Sequence, residues 1–149
     1  RTLGEAGRRA RSLNACTSFS ALKVNSVRRM RPVSDPKDVL FILQTDYADP
    51  AHGGDLFYCE HCVLLEGVMS AFPELAEKIE VRRLKWPRPR KDVVDLLGED
   101  NQNLPALVLY GAVEDGLPVK EANGVHFVND KDDLLEVMAR RYGISRPHP

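Results

Sequence analysis

Two cysteines three positions apart, Cys59 and Cys62, enclose Glu60-His61 and are the residues in this chain best suited to chemistry. Cys62, Leu65, Val68, Met69 and Phe72 recur at helical spacing, which predicts a helix from Cys59 to Phe72. A thiol at a helix start faces unpaired backbone N–H groups and the positive end of the dipole, and both favour the thiolate. Cys59 is therefore the candidate attacking thiol, and Cys62, one turn later, the candidate buried resolving thiol. The two-residue spacing lets the second sulfur reach a mixed disulfide formed on the first. A protonated His61 would support a Cys59 thiolate and Glu60 would oppose it, so the sign of their sum stays open.

Other chemistry is compatible with the same pair. Cys59 and Cys62 can ligate zinc with His61, His52 or His126, although no second CxxC completes a structural tetrad. An iron–sulfur cluster would need ligands from another chain or from a thiol cofactor. The cysteines can also be small buried residues and nothing more.

The third cysteine, Cys16, lies far from the pair, and three cysteines are too few for a disulfide scaffold. With no secretory apolar region visible, a reducing, cytoplasmic setting is expected, where a close pair more often means redox or metal chemistry. The 149 residues suit one ordinary core, and 43% hydrophobic with 29% charged residues is globular composition. No apolar run approaches the roughly 18 residues of a membrane span.

The formal charge of −1 hides an asymmetry. Residues 1–31 hold eight Lys or Arg against one acid, whereas the remainder is acidic. Residues 1–34 therefore read as a basic, disordered leader and 35–149 as the folded domain. The leader fits a transit segment or a basic arm, but the preferred expectation is that Met30 is the true start. Neither nucleic acid nor membrane is expected as a partner of the domain. The sequence gives no signal of oligomeric state.

The elements that must position the pair follow from periodicity and breakers. Asp38–Leu43 reads as a buried strand, followed by a polar loop over Asp46–Asp55. After the cysteine helix, Pro73 begins another turn. Ile79–Lys85 is a charged edge strand, Pro89–Leu97 a helix closed by an αL Gly98, and Leu104–Tyr110 a strand with a proline at its entrance. Gly111–Asn123 reads as turn, Gly124–Val128 as the fourth strand. A final helix is capped by Asn129, opened by Asp130, Asp132 and Asp133, and closed by Arg140, Arg141 and Gly143. The order β-α-β-α-β-β-α predicts an α/β fold with two right-handed crossovers and a four-stranded mixed sheet flanked by helices.

This order, with CxxC at the first helix and Pro105 opening the third strand, resembles the thioredoxin superfamily over roughly Asp38 to Tyr142. The resemblance implies a cis Leu104-Pro105 bond beside the cysteines, with Leu104 and Pro105 shaping a substrate groove. It implies thiol–disulfide exchange on a protein or low-molecular-weight disulfide, with no cofactor. Glu60-His61 departs from the Gly-Pro typical of thioredoxins, and no buried acid is evident to activate Cys62. Phe57-Tyr58-Cys59-Glu60-His61-Cys62, Trp86-Pro87-Arg88-Pro89-Arg90 and Gly98-Glu99-Asp100-Asn101-Gln102 more narrowly resemble an uncharacterised bacterial family known only as a domain of unknown function.

Three readings follow: a thiol–disulfide oxidoreductase or thiol redox sensor, a non-catalytic thioredoxin-like binding module, and a metal-binding protein. Tyr58 is placed to cover or shape the site, and Gln102, before Pro105, to contact a substrate. His126 reads as a hydrogen-bonded sheet residue and Trp86 as a packing anchor. Arg82, Arg83, Lys85, Arg88, Arg90 and Lys91 read as a solvated edge, with anion binding as the alternative.

Overall fold

A computed structural model describes residues 36–149. The basic leader and the reading of Met30 as the start lie outside the described residues.

The run Asp38-Val-Leu-Phe-Ile-Leu43 forms strand β1, an interior strand of the main sheet. Beyond Asp38 it is apolar, because both faces of the sheet are covered. Leu40 and Ile42 face one side, with α1 (Glu60–Ala71) and α3 (Lys131–Tyr142). Val39 and Phe41 face the other, with Val93 and Leu97 of α2 (Lys91–Leu97). The core is thus two apolar layers divided by one sheet.

Two short strands, β2 (Tyr47–Ala48) and β3 (Leu56–Phe57), pair only with each other in the connection from β1 to α1. The main sheet adds β4 (Ile79–Leu84), β5 (Ala106–Leu109), β6 (Lys120–Ala122) and β7 (Val125–Val128), in the order β4-β1-β5-β7-β6. β4 lies parallel to β1 at one edge, with Leu43 opposite Leu84. Its charged residues are those of an edge strand: Arg82 donates to Glu80 at 2.7 Å, and Arg83 donates through two nitrogens to Glu66 at 2.6 and 2.7 Å.

The sheet has five strands where the sequence predicts four. The addition is β6, inside the segment read as turn. Its three residues are too few to display a period, and two of them are exposed. Only one of the two expected crossovers is present, because β5 runs antiparallel to β1 and so returns through α2 against β4. The mixed α/β sheet between helices is otherwise as expected.

Helix boundaries shift by a residue or two. Asp130, not Asn129, caps α3, its carboxylate accepting from the N–H groups of Asp132 and Asp133 at 2.9 and 3.2 Å. Gly143 closes that helix in the αL conformation. Gly98 ends α2 at φ 82°, ψ 168°, a positive-φ conformation outside αL. The Leu104–Pro105 peptide is cis and leads into β5, and Arg88–Pro89 is cis as well. Among the described residues no helix is long and apolar enough to cross a membrane.

Candidate functional site

The cysteines meet the carboxyl ends of β1 and β4 at the start of α1. Cys59 is the N-cap of α1, with extended backbone (φ −83°, ψ 115°), and its thiol takes the place of a capping hydroxyl. The Cys62 N–H points at Cys59 Sγ from 3.4 Å, so the first sulfur lies against the orphan donors of the helix. Cys59 is partly exposed. Cys62 is buried, and its Sγ accepts from the Leu43 N–H at the end of β1, 3.3 Å away. Both are free thiols.

Their surroundings differ in consequence. Burial pushes the Cys62 thiol up to about 12; the Leu43 N–H acts in the opposite sense, and neighbouring Cys59 adds to the rise. Among the described residues, the buried acid that the sequence does not reveal is absent from this end of the sheet. Asp38 is buried, but it opens β1 and lies about 16 Å from Leu43 at strand rise.

The flanking candidates divide. His61 Nε2 lies 3.3 Å from Glu60, so the two residues between the cysteines face each other. Tyr58 turns to solvent, 64% exposed, and leaves Cys59 uncovered. Leu104 packs against the cluster that holds Cys62, as does Cys59, while Pro105 is buried next to it. Gln102 is buried with both ends of its amide engaged. Its Oε1 accepts from the Arg90 N–H at 2.8 Å and its Nε2 donates to the Glu99 carbonyl at 2.9 Å. It supports the loop before β5 and holds the start of α2 against it.

Arg90 is the residue that sequence reasoning missed. Grouped there with surface charge, it is only 9% exposed. Its guanidinium donates to the carbonyls of Gln102 and Trp86, the latter at 2.7 Å, while Nε has no partner. Burial and the charge of Arg88 lower its proton affinity, whereas Cys62, Cys59 and Tyr47 act to raise it. Trp86 in turn stacks on Tyr47, with ring centres 5.8 Å apart and planes 14° from parallel. Burial followed by the two cysteines pushes the Tyr47 phenol above its ordinary value. Thus β2, the loop after β4 and the start of α2 bring an aromatic pair and a buried cation to this end of the sheet, where Tyr47 and Arg90 feel the charge of the thiols. The sequence held one signal of this, the repeated Pro-Arg of Pro87-Arg88-Pro89-Arg90, which no regular helix or strand accommodates.

Residues 37–146 match the family described as "Protein of unknown function (DUF3088)". The chain belongs to that family. No curated protein and no solved structure matches it. The DUF3088 match spans every strand and helix of the fold and includes all the site residues above. Among the described residues of this DUF3088 protein, no three His, Cys, Asp or Glu side chains are grouped to hold a metal ion. His52 lies 3.9 Å from Asp49, and His126 sits within β7 with its Nδ1 buried and unpartnered.

Proposed function

We propose that this DUF3088 protein is a thiol–disulfide oxidoreductase, or a thiol redox sensor using the same exchange, built on a thioredoxin-like fold. The observation that carries the reading is the unequal pair: a partly exposed Cys59 at the helix cap and a buried Cys62 one turn later. The succession β1-α1-β4-α2-β5-β7-α3, with CxxC opening α1, supports the thioredoxin-like assignment. The count of cysteines supports a reducing, cytoplasmic setting.

In the proposed reaction the Cys59 thiolate attacks one sulfur of a substrate disulfide, and the other sulfur leaves as a thiolate that water protonates. Cys62 then loses its proton, attacks Cys59 Sγ and expels the first substrate sulfur. The protein ends as a Cys59–Cys62 disulfide, two electrons having passed to the substrate. An external dithiol such as dithiothreitol restores the pair by the reverse exchange. Turnover of a model disulfide with dithiothreitol as reductant is expected to vanish in Cys59→Ser and to slow in Cys62→Ser, where the mixed disulfide waits on attack by dithiothreitol and accumulates when the reductant is withheld. Rates equal to the protein-free background for all three proteins would sink the catalytic reading.

A second reading, a binding module, draws on Leu56 and Tyr58, which are 66% and 64% exposed immediately before Cys59. Such side chains offer an apolar contact for a partner. Background rates together with a partner whose binding is lost in Tyr58→Ser would favour it.

A further inference from the structure

Seven arginines lie in residues 36–149, and five of them stand within 4.0 Å of a carboxylate: Arg82, Arg83, Arg140, Arg141 and Arg146. Arg88 and Arg90 have no acidic partner among the described residues. Arg88 donates to the Asn103 side-chain carbonyl at 2.7 Å, and Arg90 donates to two backbone carbonyls. All these acceptors are neutral. A guanidinium that is nine-tenths buried, with Nε unpartnered and a second guanidinium as neighbour, lacks a counter-charge.

Those two arginines and Trp86 line one cavity of about 340 Å³. Two runs of neighbouring residues lead from it towards the thiols. Cys62 Sγ accepts from Leu43, Leu43 lies opposite Leu84, and Trp86 follows two residues later. On the other side Gln102 holds Arg90 and precedes Leu104, which packs against the cluster that contains Cys62.

We propose that the Trp86–Arg88–Arg90 cavity is the substrate subsite of the cysteine pair and takes the carboxylate of a small disulfide. A carboxylate there would accept from the exposed Arg88 fork, lie against Trp86 and supply the charge that Arg90 lacks. The volume is at the lower end of the roughly 300–1,000 Å³ of small-molecule sites, which fits a compact acid. This assignment rests on Cys59 as the attacking thiol, with the carboxylate placing the disulfide bond before it.

Three size-matched disulfides test it: anionic dithiodiglycolate, neutral bis(2-hydroxyethyl) disulfide and cationic cystamine, each rate divided by that of the same compound with dithiothreitol. The expected result is a normalised kcat/KM about tenfold higher for dithiodiglycolate than for the neutral compound, with cystamine lowest. In Arg88→Gln the anionic-to-neutral ratio is expected to fall towards one through a raised KM, and Arg88→Lys to recover part of it. Turnover abolished by Cys59→Ser but equal across the three compounds would overturn the subsite and leave the exchange reaction standing. Calorimetry with the unreactive thioether thiodiglycolate provides an independent arm. Saturable binding weakened about tenfold in Arg88→Gln supports the subsite even if no disulfide turns over. The absence of binding overturns it.

Discussion

At the residue scale, the two sulfurs owe their different characters to one turn of helix. Cys59 sits where the helix leaves its N–H groups unpaired, whereas Cys62 sits beneath β1 among Leu40, Ile42 and Leu65. Because the Cys62 thiol is raised from 9.0 to about 12, its neutral form belongs to the folded state. The unfolded chain releases that proton first, so Cys62 contributes stability below about pH 9 that is lost as pH rises towards 12. Urea unfolding at pH 8, 9.5 and 11 is therefore expected to show the wild type losing more stability with pH than Cys62→Ala. Parallel declines would contradict the assigned burial. The pair itself was legible from type and spacing. Arg90 was not, because what buries its guanidinium is the carbonyls of Trp86 and Gln102, and a backbone carbonyl leaves no mark on side-chain sequence.

At the element scale, the segments with an apolar pattern read correctly, short β5 and β7 included, whereas β2 and β6 lie inside segments read as loop and turn. β1 announced itself as a continuous apolar run, β4 by its charges, and α3 by acids before and bases after an apolar stripe. β6 carries only Lys-Glu-Ala. Its one signal was Asn123-Gly124, which the structure places at φ 52° and 74° as the two-residue turn into β7. The α3 cap passed from Asn129 to its neighbour because Asp130 alone reaches two orphan donors. Those N–H groups, from Asp133 and then Asp132, hold the Asp130 carboxyl below its ordinary 3.8. A depressed carboxyl contributes stability above its unfolded value and loses it as pH falls through the folded one. Asp130→Ala is accordingly expected to lower the melting temperature at pH 7, with the gap from wild type closing as pH falls below about 3.8. A gap that persists unchanged at pH 2 would argue against the cap.

At the scale of the whole molecule, the end of the sheet opposite the thiols is tied together by one buried carboxylate. Asp38 opens β1 and accepts from Arg141 Nε at 2.7 Å, from the Tyr142 hydroxyl at 2.6 Å and from the Tyr110 N–H at 2.6 Å. Arg141 continues to the carbonyls of Tyr110 and Ala112, both at 2.7 Å, so the last turn of α3 is fastened to β1 and to the chain leaving β5. Three segments far apart in sequence are thereby fixed at one point, and α3 is held over the face that also carries α1. Removing the carboxylate leaves a guanidinium, a hydroxyl and an amide without their partner in a region where Asp38 is 5% and Arg141 16% exposed. Breaking such a pair from one side costs about 3–5 kcal/mol, so Asp38→Ala is expected to lose that much in urea unfolding. Tyr142→Phe, which deletes one bond, is expected to lose about 1 kcal/mol. The thiols stand at the far end of β1, and the alkylation rate of Cys59 in the folded Asp38→Ala protein should match the wild type. A large change in that rate, or a loss below about 1 kcal/mol for Asp38→Ala, would show that the two ends of the sheet are not the separate structural and chemical poles argued for this fold.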